Sequence, residues 1–269
     1  MQLRDYAHAD QRVVEFYQEQ HTKQTVAFVQ DKRRQFFPLR HRTMTMWDAV
    51  LLLQELQDDS DPDMDRPQIV HAVQTAERIR AVVATGGLPD WMIVTGLLHD
   101  VGKGVLLSLG EPQYAVVGDT FIVGCQWAPQ VVYYEFFADN PDTKVPFYQT
   151  PCGRYQPSCE RGLDGVLMSW GHDEYLYEVV RQYFCSKASA HPLPEAALAI
   201  FRYHSFYAAH THGAYAHLMT THDRAMLEWV RTFSQFDLYS KSDTEPDLPA
   251  LLPVYERLVN TYFPTPLRW

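Results

Sequence analysis

The feature that most constrains this chain is a polar pair at the end of an apolar run. Residues 92–98 read as the buried stretch of a helix, and His99-Asp100 follows directly. Neighbours on a helix point about 100° apart, so one of the pair faces inward. A buried carboxylate is costly unless it is paired or bound to a cation. Any fold for this sequence must bring partners to that point. Val101-Gly102-Lys103 comes next, and His71 lies upstream among Val70, Ala72 and Val73.

Helix-like spacing dominates the rest. Apolar residues recur with a helical period over 6–36, 45–57, 68–84 and 91–103, then over 165–182, 195–207, 214–220, 223–233 and 251–262. Gly86-Gly87 ends the third of these helices, and Pro89-Asp90 opens the next. Residues 116–123 read as a loop or short strand, and four prolines between 140 and 157 preclude a long helix there. The expectation is an all-α fold: one mostly helical domain over 1–269, with irregular loops and few short strands.

Composition removes several functions. The 269 residues are 46% hydrophobic and 21% charged, as in globular proteins, with a net charge of −10. An acidic chain without a basic block is unsuited to nucleic acid. No apolar run approaches the ~20 residues that span a bilayer. The N-terminal segment is charged throughout, so no secretory leader is expected and the location expected is cytoplasmic. Cys125, Cys152, Cys159 and Cys185 show no CxxC spacing and are expected as reduced thiols.

The H…HD pattern resembles the HD-domain superfamily of helical metalloproteins. His172, His204 and Asp237 each sit among aromatic residues, as a ligand in a dry pocket would, although any one of them taken singly reads rather as a satisfied core residue. Together with His71, His99 and Asp100 they make four histidines and two aspartates without thiolate, a set suited to Fe, Mn, Zn or Co. Asp100 is the natural bridge between two metals ~3.5–4 Å apart. Trp170, Tyr175, Tyr203, Phe206 and Tyr207 are suited to excluding water, or to the core.

Longer phrases narrow the resemblance. HAVQTAERIR (71–80), LLHDVGK (97–103), GEPQYAVVGDTFIVGC (110–125), LMSWGHDEYLY (167–177), RYHSFY (202–207) and FDLYSKSD (236–243) resemble the myo-inositol oxygenase family, nearly end to end. That resemblance implies a helical fold on an HD-domain core. It also implies cleavage of myo-inositol by O2 to D-glucuronate at two iron ions per chain, as a mixed-valent Fe(II)/Fe(III) pair. By the same resemblance His71, His99 and Asp237 hold one iron, His172 and His204 the other, and Asp100 bridges them. Substrate contacts fall on Arg4, Asp58, Lys103, Gly118, Asp119, Ser205 and Lys241, with Lys103 and Asp100 acting in catalysis. Departures from the family pattern are extra residues near 104–109 and at Glu160-Arg161, both expected in loops, and His212 in place of a glycine. A monomer is expected. The competing reading is an HD-domain metal-dependent phosphohydrolase, which would want clustered Arg and Lys around its phosphate.

Overall fold

The computed structural model describes the chain except residues 1–5, 7–8, 57, 61–66, 157–158, 187–191 and 239–245. Among the described residues there are eleven α-helices and four two-residue strands, an all-α architecture. The helices are α1 Gln11–Lys23, α2 Val26–Phe36, α3 Met46–Leu51, α4 Gln68–Val83, α5 Trp91–Leu98, α6 Val101–Ser108, α7 His172–Ser186, α8 Glu195–Tyr203, α9 Tyr207–His210, α10 Thr221–Leu238 and α11 Leu248–Tyr262. No helix among the described residues is long and apolar enough to cross a membrane. Cys125, Cys152 and Cys185 are free thiols.

The helices that matter most for the site pack in a chain of neighbours: α4 on α5, α5 on α8, α8 on both α7 and α10, and α6 on α7. Their apolar faces share one continuous core, from Val73 and Ile79 on α4 through Leu97, Ile200 and Phe201 to Val230 and Phe233 on α10. Gly102 lets α6 approach the start of α7. A Cβ there would stand 2.5 Å from the His172 carbonyl oxygen.

Two small antiparallel pairings tie distant segments together. β1 (Thr43–Met44) pairs with β4 (Leu267–Arg268) in the register Thr43↔Arg268. β2 (Ile122–Val123) pairs with β3 (Leu167–Met168), Ile122 opposite Met168. Beyond β3, the Ser169 N–H donates to the Phe121 carbonyl at 2.6 Å and the His172 N–H to the Val116 carbonyl at 2.9 Å. Gln24 completes the clasp. Its buried side-chain amide donates to the Trp170 carbonyl at 2.8 Å and accepts the Trp170 N–H at 2.9 Å.

Several boundaries differ from the periodicity. The segment 6–36 is two helices, broken at Gln24 and restarted by Thr25, whose hydroxyl accepts the Phe28 N–H. The segment 91–103 is also two helices, because Asp100 turns the backbone (φ −98°, ψ 0°). Residues 166–171 are not helical, since Leu167-Met168 pairs with β2. Residues 104–108, expected in a loop, lie within α6.

Candidate metal centre

Six helix ends converge on one point. His71 lies in the first turn of α4, and His99 follows the last residue of α5. Asp100 precedes α6, His172 opens α7, His204 follows α8, and Asp237 sits in the last turn of α10. Helix ends carry backbone groups without intrahelical partners, and here some of them orient the candidate ligands. The His99 Nδ1–H donates to the Gly96 carbonyl at 2.8 Å, and the His204 Nδ1–H to the Ile200 carbonyl at 3.1 Å. The His172 Nδ1–H donates to Val116 at 2.7 Å, across the clasp. A carbonyl oxygen only accepts, so in each neutral ring the proton is on Nδ1 and the Nε2 lone pair is bare.

Those Nε2 atoms face carboxylates. His71 Nε2 is 2.9 Å from Asp237 Oδ1, and His99 Nε2 is 3.4 Å from both Asp237 Oδ1 and Asp100 Oδ2. On the other side of Asp100, its Oδ1 is 3.3 Å from His172 Nε2 and 3.4 Å from His204 Nε2. The same Oδ1 is buried and in hydrogen-bonding geometry with none of the described groups. Phe233 packs against the rings of His99 and His204, with centroids at 5.2 and 6.2 Å.

Lys103 completes the charge arrangement. Its Nζ is 2.8 Å from Asp58 Oδ2 and 2.9 Å from Asp100 Oδ2. Burial disfavours the ammonium, but Asp100 and Asp58 outweigh burial and raise its pKa. Burial likewise opposes charge on Asp100, yet His99 and Lys103 hold its carboxyl well below the usual range. Asp237 is held down in the same way by His71 and His99. His172 is pushed up to about 9, because Asp173 and Asp100 outweigh burial. At these four groups the pocket thus favours cations.

The chain matches the family model described as myo-inositol oxygenase over residues 10–269. It is 49% identical over 259 residues to inositol oxygenase of Homo sapiens, covering 96% of this chain and 87% of that one. It is 46% identical over 273 residues to inositol oxygenase 1 of Arabidopsis thaliana, covering 99% and 84%. The chain belongs to the myo-inositol oxygenase family. A probable inositol oxygenase of Oryza sativa is 47% identical over 260 residues, covering 96% and 80%.

The myo-inositol oxygenase family implies a metal cofactor, and the residues present fit one. His172 and His204 present Nε2 to each other at 3.2 Å, an approach that two bare lone pairs would resist and that a cation or a proton between them relieves. The unpartnered Asp100 Oδ1 points into the same gap. His71, His99 and Asp237 form one compact donor group, and His99, Asp100 and His204 form another.

Most expected substrate residues also gather here. Asp58, Lys103, Gly118, Asp119 and Ser205 line one cavity with the six metal candidates, about 370 Å³ of space between atoms. Asp58 is fixed by the N–H and hydroxyl of Ser60, at 2.9 and 2.6 Å. Gly118 has φ +88°, and a Cβ there would stand 2.7 Å from the Phe16 ring, so only glycine fits. Arg4 and Lys241 lie outside the described residues, as does most of the acidic loop. A second cavity shares Asp119 and Tyr207 with the first and is edged by His212.

Other residues were less legible. Tyr207 lines the cavity and donates to Asp237 Oδ2 at 3.3 Å. Trp170 and Tyr175 pack on Phe36 and belong to the core. Asp173 is the residue that sequence reasoning missed. It is buried, and its Oδ1 stands 2.6 Å from His172 Nε2. A signal existed: His172-Asp173 repeats the His-Asp dipeptide of 99–100.

Proposed function

We propose that this chain is a di-iron oxygenase that cleaves myo-inositol with O2 to D-glucuronate and water, working as one domain built on an HD-type core. The observation that carries the reading is the donor geometry. Bare Nε2 atoms, three of them locked by backbone carbonyls, flank an Asp100 carboxylate with one oxygen toward each histidine pair. His71, His99 and Asp237 would hold one iron, His172 and His204 the other, and Asp100 would join them. When bound, the iron pair would activate O2, which takes up the four electrons that ring cleavage releases.

The chain's own residues bind and orient the substrate. Myo-inositol is neutral, so recognition rests on short-range hydrogen bonds. Asp58 and Asp119 offer acceptors, and the Ser205 hydroxyl can donate or accept. An ammonium has three protons, and Asp58 and Asp100 engage two of those on Lys103. The third is left for a substrate oxygen. A substrate hydroxyl that loses its proton would gain most from that charge, because Lys103 is buried. Buried Phe233, against the rings of His99 and His204, keeps bulk water away from the reacting centre. The second cavity, beside Asp119, gives a route in.

The phosphohydrolase alternative is not favoured. Lys103 is the single Lys or Arg among the described lining residues, and Asp58 and Asp119 would repel a phosphate. The test is simultaneous O2 uptake and product analysis on iron-loaded protein given myo-inositol. One glucuronate per O2 consumed is expected. Turnover without O2 uptake, or hydrolysis of a phosphoester instead, would overturn the reading.

A further inference from the structure

The two metal positions are unequally furnished. His71, His99, Asp237 and one Asp100 oxygen surround the first, whereas the sequence gives the second only His172, His204 and the other Asp100 oxygen. Asp173 lies where the missing donor would be. It is the second residue of α7 and 1% exposed. Its Oδ1 is 2.6 Å from His172 Nε2 and 3.5 Å from His204 Nε2. The donor atoms of these three residues all lie within 4.8 Å of one another.

Its surroundings give the same oxygen a second partner. Asp173 Oδ2 accepts the Ser205 N–H at 3.2 Å, which anchors the carboxylate. The Ser205 hydroxyl donates to Oδ1, also at 3.2 Å. If Oδ1 leaves a metal it is therefore not left as a bare buried acceptor, a situation that is costly. Ser205 follows the ligand His204 directly, so the alternative partner belongs to the same helix end as the site.

Resting on the two-metal reading above, we propose that Asp173 is a displaceable fourth donor to the metal held by His172 and His204. Without substrate, Oδ1 occupies a coordination position. Substrate hydroxyls would compete for that metal, and Oδ1 would then withdraw to the Ser205 hydroxyl. Metal affinity and substrate affinity then pull on this carboxylate in opposite directions.

The test is a titration of chelator-stripped, full-length protein with Co(II), followed by myo-inositol binding at saturating Co(II). Asp173→Asn keeps the size and an acceptor for the Ser205 N–H but offers a poor ligand. Two ions are expected in the wild type. In Asp173→Asn the first should bind unchanged and the second at least about tenfold more weakly, since metal-site partners typically carry 10–100-fold effects. Once both ions are bound, myo-inositol should bind the variant as tightly as the wild type or more tightly, because it no longer displaces a ligand. Asp173→Glu retains a carboxylate and should recover part of the second-ion affinity. It also serves as the reporter should Asp173→Asn not fold. Two ions bound equally tightly by wild type and Asp173→Asn overturn this assignment alone. Weakening of ion and inositol together, with a lower melting temperature of the metal-free protein, marks a structural role and overturns it too. A wild type that takes up a single ion overturns the two-metal reading itself.

Discussion

Lys103 and Asp100 are in direct contact, yet their loss should read out differently. Lys103→Ala removes a charge that touches no metal position except through Asp100, so iron content should stay full. Turnover should fall by ~10²–10³, the scale for removing one preorganised donor. Metal analysis beside steady-state kinetics checks this, and near-normal turnover would reduce Lys103 to a counter-charge. Asp100→Ala should lose both ions together, since in the proposed centre one carboxylate would serve both positions and offset their mutual repulsion. Retention of two ions would mean that Asp100 is no bridge. The candidate donors were legible because histidine and aspartate stand out against aromatic and aliphatic neighbours, as in RYHSFY. Asp173 was not, because in GHDEY it reads as an ordinary acidic first-turn residue of a helix. Only the fold shows that it points inward.

At the scale of helices, what sequence could reveal depended on how local the cause was. Helix α4 matches its periodicity to within a residue, since Pro67 and Gly86-Gly87 bound it from within the sequence. The break between α5 and α6 was invisible, because the turn at Asp100 serves partners from α7 and α8. The strand at 167–168 was equally hidden, its partner being some 45 residues away. One side-chain cluster fixes how α7 and α8 meet. The buried Arg202 on α8 donates from Nε to Glu174 on α7 at 2.7 Å and also meets Asp164 at 2.9 Å. Removing one partner of a buried pair strands the other charge, typically at ~3–5 kcal/mol. Arg202→Leu should lower unfolding stability by about that amount in urea melts. It should also weaken metal binding at the His172–His204 position more than at the other, because it loosens the helices that carry those two rings. Equal weakening at both positions would assign the pair to general stability.

At the scale of the whole molecule, acid stability has an identifiable contributor outside the donor cluster. His21 is buried against Phe137 with ring centroids 4.2 Å apart, and its Nε2–H donates to the Val132 carbonyl. Burial lowers its pKa to about 4, against 6.5 in an open chain, despite the carbonyl partner. The unfolded chain therefore takes up this proton first. Stability from neutral His21 is complete above pH 6.5 and declines as the pH falls toward 4. The slope is about 1.4 kcal/mol per pH unit for one proton. Urea melts across that window should show the slope, and His21→Phe should remove about one proton from it. The pairing of Thr43 with Arg268 has a consequence of another kind. Helical proteins fold fast when their contacts are near in sequence, but this ladder joins segments more than two hundred residues apart. Most helices can form within microseconds of dilution from denaturant, while closure of that ladder must wait for nearly everything between. Refolding of this helix-rich chain should therefore be governed by its shortest strands, with circular dichroism recovering well before the fluorescence of Trp269.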